Sequence, residues 1–300
     1  MSAPPLCRVG VLVNPTAGRG RSGPIATELS VQLREHGHTL VDLSGATAAE
    51  AEERASAAIT AGHIDALAVV GGDGTVHLGT NACAGTGVAL AIVACGSGND
   101  SARGLGLPRN DAAAMAQLIT AGSVRTIDAG CGQTDAGTRY WLGVLGAGFD
   151  TLVNERAMRM RHLHGRARYL AAVLRELPTF RGISYAVEVD GQRVETDAML
   201  VAVANGRSFG SGMLVCPDAR LDDGLFDVLI LHKVGRLAFL RVFPRVFSGS
   251  HITHPAVEIR RARTVRLEAA GVHAEADGER FGALPLDLQV APSAIRVVVP

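Results

Sequence analysis

Lysine is nearly missing from this chain. Lys233 is the single one, and every other basic side chain among the 29 is arginine. Any anion must therefore be held by arginine or by backbone N–H groups. Net charge is missing too: 29 acidic residues balance the 29 basic ones. That removes the overall positive field on which nucleic-acid binding relies. No apolar run approaches the ~18 residues needed to span a bilayer. The start, Met1 to Leu6, has neither the basic nor the apolar segment of a signal peptide. A cytoplasmic protein without a transmembrane segment is expected. The five cysteines (Cys7, Cys83, Cys95, Cys131, Cys216) are odd in number, scattered, and form no C-x-x-C pair. They read as small buried residues in a reducing compartment, not as a disulfide frame or zinc site.

What is present is a 300-residue globular chain, 47% hydrophobic and 19% charged, with enough length for one large or two medium domains. Its organising stretch is Gly71-Gly72-Asp73-Gly74-Thr75. Residues 65–70 before it are almost continuously apolar, the pattern of a strand buried on both faces of a parallel sheet. Val76, His77 and Leu78 after it can open a helix. The carboxyl end of such a strand is where open α/β sheets bind ligands. Glycines there let the backbone approach a phosphate and aim N–H groups at it, and a helix N-terminus adds its dipole. An ordinary turn would need one glycine at most.

The same design recurs twice. Residues 7–13 form a strand pattern ending in Asn14-Pro15-Thr16-Ala17-Gly18-Arg19-Gly20, with Arg19 and Arg21 in reach of a ligand. Residues 88–93 form another, ending in Gly96-Ser97-Gly98-Asn99-Asp100. Helices are predicted over 24–36, 47–61, 101–106 and 111–121, and a weaker strand over 38–43. Thr47 with Glu50 three residues on has capping-box spacing. In a parallel sheet the three loops share one edge and can converge on one polyanion.

Near Val124 the pattern becomes mainly antiparallel β, so the division is placed at 1–127 and 128–300. Asp190-Gly191 marks a hairpin between strands over 185–189 and 194–204. Further strands are predicted over 125–130, 140–148, 225–231, 256–259, 264–268 and 295–299. One long helix is expected over 151–177, with Leu163, Ala167, Leu170, Leu174 and Leu177 forming a packed apolar face. Arg156, Arg159, Arg161, Arg166, Arg168 and Arg175 then give it a solvated basic face, or a surface held against anionic lipid. A shorter helix is expected over 236–247. Asp222-Asp223-Gly224 reads as an exposed turn, residues 251–254 as a surface loop, and Asp277-Gly278 as a hairpin turn.

In order and spacing, these motifs resemble the diacylglycerol kinase catalytic family, which includes soluble bacterial lipid kinases and the sphingosine and ceramide kinases. The resemblance rests on Asn14-Pro15-x-x-Gly18, Gly71-Gly72-Asp73-Gly74-Thr75 and Gly96-Ser97-Gly98-Asn99-Asp100-Ser101-Ala102-Arg103. In the second half it rests on Gly148-Phe149-Asp150, Asn205-Gly206 with Phe209-Gly210-Ser211-Gly212-Met213, Asp222-Asp223-Gly224-Leu225 and Asp277-Gly278-Glu279. It departs at His77-Leu78, where many relatives have Asn-Glu, and at Ser101, where an aromatic is common. The resemblance implies an α/β nucleotide-binding domain, with a parallel sheet and flanking helices as in NAD kinases and diacylglycerol kinases. A larger, mainly antiparallel β-sandwich domain follows, and the final strand, about 290–300, can return to the first domain.

The implied activity is transfer of the ATP γ-phosphate to the hydroxyl of diacylglycerol or a similar lipid, at the inner face of a membrane. ATP would be held by Asn14, Pro15, Thr16, Ala17, Gly18, Arg19, Thr47, Gly71, Gly72, Asp73, Gly74, Thr75, Val76, His77, Ser97 and Asn99. Asp73, Asp100 and Asp128 would form a carboxylate and water network for catalytic Mg²⁺. Asp223, with the carbonyls of Arg220 and Leu225, would hold a structural Mg²⁺. Glu279 is the first choice of general base and Asp73 the second. Kinase action on NAD or another small metabolite, a catalytically weak nucleotide- or lipid-binding protein, and a homodimer remain open.

Overall fold

The protein is described by a computed structural model covering residues 6–300 except Thr16, Ala136, Arg161 and His164. The side chains of Arg19 and Arg166 also lie outside the described set. The chain divides into two compact units, Met1–Ala129 with Pro292–Pro300, and Gly130–Ala291.

The first unit is an α/β layer structure. It runs β1 (Arg8–Val13), α1 (Ser22–Glu35), β2 (Thr39–Asp42), α2 (Ala48–Thr60), β3 (Ala66–Gly71), α3 (Asp73–Cys83), β4 (Ala89–Ala94), α4 (Asp100–Gly104) and α5 (Ala112–Ala121). The sheet order is β4-β3-β1-β2, and every pairing is parallel. Every residue of β3 and β4 is buried, which is why their sequences are apolar without alternation. Helix α1 packs against α5 and α2 against α3. The cap expected at α2 forms: Thr47 Oγ1 accepts the Glu50 amide at 3.2 Å. The Glu50 carboxylate reaches back to the Ala46 amide at 2.8 Å, one residue earlier than a regular capping box.

The second unit is mainly antiparallel. Its elements are β5 (Val124–Thr134), β6 (Gly137–Trp141), β7 (Val144–Gly148), α6 (Phe149–Arg159), α7 (Gly165–Glu176), β8 (Ile183–Val189), β9 (Gln192–Ala204) and β10 (Phe226–His232). There follow α8 (Arg236–Val242), β11 (Val257–Ala262), β12 (Thr264–Glu268), β13 (His273–Ala276), β14 (Glu279–Ala283) and β15 (Leu286–Val298). β5 carries the chain out of the first unit and β15 carries it back, where Arg296 and Val297 pair in parallel with Ala89 and Leu90 of β4. The Asp190-Gly191 turn closes the β8–β9 hairpin as expected, with φ of 47° and 82°.

Strands β9 and β10 explain the layering. Val201, Val203, Val228 and Ile230 enter one core, with Trp141, Phe226 and Phe281. The alternate residues Ala202, Ala204, Leu229 and Leu231 enter a second core, with Phe149, Tyr169, Val173 and Phe239 from the helices. Period-two alternation thus feeds two apolar layers from the same strands. In the first core the Trp141 ring stacks on Phe226 at 5.6 Å and meets Phe281 edge-on at 5.3 Å.

Four expectations need correction. The single helix over 151–177 is two helices: α6 ends at Arg159, Met160 leaves the helix with ψ of 70°, and α7 starts at Gly165. The leucine stripe is also reversed except at Leu177, which is buried as expected. Tyr169, Ala172, Val173 and Leu177 are buried, whereas Leu163, Leu170 and Leu174 face outward. Residues 251–254 are not a surface loop: His251 is 5% exposed and its Nε2 donates to the Val215 carbonyl at 2.9 Å. The helix expected over 236–247 stops at Val242 and continues as a 3-10 turn, Phe243–Phe247, where Pro244 has no amide to donate.

Replacing Trp141 with alanine empties the centre of the first core. We expect a loss of about 3–5 kcal/mol of unfolding free energy by urea titration; a loss below about 1 kcal/mol would contradict the central role assigned to this ring.

Candidate active site

The three glycine-rich loops of the first unit meet, as their shared sheet edge requires. The Asn14 amide donates to the Val70 carbonyl at 3.1 Å, and the Cys95 amide to the Gly71 carbonyl at 2.9 Å. Gly18 has φ of 59°, and a Cβ there would run into the Cys95 carbonyl oxygen, so only glycine suits both the conformation and the approach. A Cβ on Gly96 would stand 2.5 Å from the Gly72 Cα, so the second and third loops touch through bare backbone.

Asp73 ties these loops together. Its Oδ2 accepts the Asn99 amide and its Oδ1 the Asp100 amide, both at 2.8 Å. Asn99 itself is left-handed, with φ of 56°, a conformation asparagine tolerates. Its side-chain amide donates to the Gly96 carbonyl at 2.9 Å. One carboxylate thereby sets the entry to α4 from the start of α3. Asp73 and Asp100 flank Gly98: a Cβ on Gly98 would run into Asp73 Oδ2 and lie 3.6 Å from Asp100 Oδ2.

The other expected residues fall into place unevenly. Asn14, Pro15, Ala17, Gly18, Gly71, Gly72, Gly74, Thr75, Ser97 and Asn99 belong to these loops or the first turn of α3, and Ser97 is exposed. Val76 and His77 continue α3. Thr47 spends its hydroxyl on the α2 cap. Thr16 and the Arg19 side chain lie outside the described residues. Asp128 is buried on β5 and accepts the Ser293 amide at 2.8 Å. Among the described residues no group of three or more His, Cys, Asp and Glu side chains converges on one cation position. A hard ion that keeps several waters and takes one or two carboxylates fits the Asp73–Asp100 pair.

In the second unit, Asp223 does not read as a simple exposed turn. Its Oδ2 pairs with the Arg261 guanidinium and its Oδ1 accepts the Leu225 amide at 3.2 Å. Its charge is met within the protein, so the residues fit a second Mg²⁺ poorly. Arg220 pairs with Asp222 at 3.5 Å. Asp277 and Gly278 form the expected turn, with φ of 54° and 86°. The Asp277 carboxylate also accepts the amides of Leu142, Gly143 and Val144 at 2.9, 2.9 and 3.2 Å. That bracket holds the strand-to-strand bend before β7, and Glu279 stands exposed just after it.

The second unit also contains a cavity of about 90 Å³. Val153 of α6, Val173 of α7, Met213, Leu229 of β10, and Phe239 and Phe243 are among its lining, which is apolar apart from Asp150, Tyr169 and His251. Sequence reasoning quoted Asp150 only as part of a motif. Burial, with a smaller push from Glu275, raises its carboxyl to about 7. Burial likewise raises Glu275, although Asn154 Nδ2 donates to its Oε2 at 2.6 Å. Tyr169 completes the chain, its hydroxyl donating to Asn154 Oδ1 at 3.2 Å.

The folded protein keeps the Asp150 proton up to about pH 7, whereas the unfolded chain loses it near about pH 4. Folding then takes up a proton in that window, and the contribution of Asp150 to stability falls as pH rises through it. Asp150→Asn should flatten the fall in Tm between about pH 4 and 7 and raise Tm at pH 8. A pH–Tm profile parallel to wild type by scanning fluorimetry would contradict this.

Comparison with known proteins gives a consistent result. The diacylglycerol kinase catalytic domain matches residues 8–131, and the YegS C-terminal NAD kinase beta sandwich-like domain matches residues 143–299. A diacylglycerol kinase of Mycobacterium tuberculosis (strain H37Rv) is 38% identical over 295 residues, 98% of this chain and 95% of that protein. One of Bacillus subtilis (strain 168) is 28% identical over 297 residues, 98% of this chain and 96% of that protein. The crystal structure of a diacylglycerol kinase from Bacillus anthracis str. Sterne superimposes with a TM-score of 0.81 at 24% identity, covering 99% of both chains. An NAD kinase from Archaeoglobus fulgidus in complex with ATP gives 0.56 at 12% identity, over 97% of this chain and 93% of that one. The two structural likenesses bear on the fold alone.

Proposed function

Because the chain belongs to the diacylglycerol kinase catalytic family, we propose that it is an ATP-dependent lipid kinase. It transfers the γ-phosphate to the free hydroxyl of a diacylglycerol-like lipid, giving a phosphatidic acid-like product at the cytoplasmic face of the membrane. The observation that carries the acceptor class is the apolar cavity of the second unit. The end of a lipid tail, a few methylenes long, suits a lining and volume of this kind, whereas the ribose and phosphates of NAD would leave hydrogen-bonding groups unmatched in it.

Phosphoryl transfer asks a protein mainly for placement and charge neutralisation. The backbone of the three loops holds the triphosphate, and Asp73 keeps the second and third loops in register. Asp73 and Asp100 would hold Mg²⁺, which when bound neutralises charge on the transferring phosphoryl group. Glu279 takes the proton from the acceptor hydroxyl. Its exposure leaves it free to meet a substrate, whereas Asp73 already accepts two backbone amides, a holding role. A structural Mg²⁺ on Asp223, Arg220 and Leu225 would have to displace Arg261, so we propose one ion site only.

With labelled ATP and Mg²⁺, phosphate should appear on dispersed diacylglycerol and not on NAD; label on NAD alone would overturn the reading. Asp73→Ala and Glu279→Gln should each lower transfer by at least about 100-fold while the circular dichroism spectrum keeps its folded form. Full activity in Glu279→Gln would move the proton acceptor elsewhere.

A further inference from the structure

Side-chain charge neutralisation at the glycine loops falls to arginine, because Lys233, the single lysine, follows β10 in the second unit. Several arginines of the first unit are committed elsewhere. Arg8 pairs with Asp65 and Arg54 with Glu50, and Arg296 donates to the Gly87 carbonyl at 2.6 Å. At the first loop, Arg21 turns its Nε to the Gly18 carbonyl at 2.9 Å. Arg103 of α4 stands instead beside the carboxylate pair. Its Nη2 donates to the Gly98 carbonyl at 2.9 Å, and Gly98 is the residue that Asp73 and Asp100 flank. Its Nε lies 3.9 Å from Asp100 Oδ1, as three-residue helical spacing allows. That is beyond hydrogen-bond reach, so the guanidinium does not close off Asp100 as Arg261 closes off Asp223. The side chain is 40% exposed, and among the described residues its Nη1 donates to no protein group. The Arg103 amide donates to the Asn99 carbonyl at 3.0 Å. The Asp73 carboxylate, which holds the Asn99 and Asp100 amides, therefore also fixes where Arg103 starts.

We propose that Arg103 is a further catalytic residue of the phosphoryl transfer, its guanidinium contacting the γ-phosphate oxygens and neutralising charge on the transferring group. The tie to Gly98 uses one N–H and fixes the guanidinium plane, so the remaining donors are aimed before a ligand arrives. The guanidinium borders Asp100, so a phosphate that meets an ion at the carboxylate pair also meets Arg103. A planar fork can serve two phosphate oxygens at once, which a lysine ammonium cannot. In the transfer, the bond between the γ-phosphorus and the ADP oxygen breaks and the bond to the acceptor oxygen forms. The acceptor proton goes to Glu279. Arg103 keeps all of its protons throughout, and its contribution is electrostatic. The proposal rests on the ATP-dependent transfer reading and is independent of which acceptor is used.

The test combines nucleotide affinity with turnover in the full chain. By calorimetry without Mg²⁺, Arg103→Ala should weaken ATP binding by roughly ten-fold and ADP binding by no more than about two-fold. In the transfer assay Arg103→Ala should lower kcat by at least about 100-fold. Arg103→Lys keeps the charge without the fork and should lower kcat by at least about ten-fold. Both variants should keep the wild-type Tm, since the side chain is exposed. Guanidinium ion at ~50 mM, far below its denaturing range, should speed Arg103→Ala by about ten-fold or more and leave wild type unchanged. A role confined to holding the Gly98 loop gives a different result: ATP and ADP affinities fall together, and guanidinium restores nothing. That result, or a wild-type kcat in Arg103→Ala, would overturn the proposal. Wild type that labels NAD and not diacylglycerol would refute the acceptor reading alone, and the same Arg103 measurements then decide the proposal on NAD. Transfer to neither would refute the kinase reading, while the loss of ATP affinity relative to ADP still upholds or overturns the γ-phosphate contact.

Discussion

The Asp73 carboxylate is the interaction on which the first unit's chemistry depends. Its two oxygens accept the amides of Asn99 and Asp100, so one side chain at the head of α3 sets the loop that opens α4. Remove that tie and the left-handed Asn99, the bare approach of Gly96 to Gly72 and the placement of Asp100 lose their common anchor. A carboxylate bound to backbone amides is rigid and costs little to keep organised. Phosphoryl transfer rewards that, because it depends on groups already in position. Asp277 does the same in the second unit, bracketing three amides of the bend before β7.

The second constraint is layering. β10 and the second half of β9, residues 198–204, are covered on both faces, so their alternate residues feed a sandwich core and a helix-side core. The helix-side layer is incompletely filled, and the gap is the apolar cavity. It is lined by aromatic and aliphatic side chains, with Asp150 as an ionisable group at its wall. A carboxyl there is held towards its neutral form by burial, which keeps the lining compatible with an apolar occupant.

Much of this was legible in residue order. Continuous apolar runs followed by glycine pairs marked β3, β4 and their loops, because a strand covered on both faces has no polar option. Asp190-Gly191 marked its hairpin because few residue pairs accept two positive φ angles. The direction of α7 was not legible. With Tyr169, Ala172 and Val173 on one side and Leu170 and Leu174 on the other, helical periodicity alone cannot say which apolar face is buried. Only the position of the sheet decides it. Nor could the sequence expose non-local partners: Arg261 for Asp223, and residues 142–144 for Asp277, are brought close by strand pairing. The Gly148-Phe149-Asp150 motif gave the one available signal for Asp150, a carboxylate directly after an apolar strand end.

In the proposed function, phosphate handling belongs to the loops of the first unit and lipid handling to the cavity of the second. The most direct test is to fill that cavity and follow both substrates. For Val173→Phe, labelled-phosphate transfer to a long-chain diacylglycerol should fall by about ten-fold or more, while ATP affinity by calorimetry stays at the wild-type value. Undiminished long-chain transfer in a folded Val173→Phe protein would contradict the assignment.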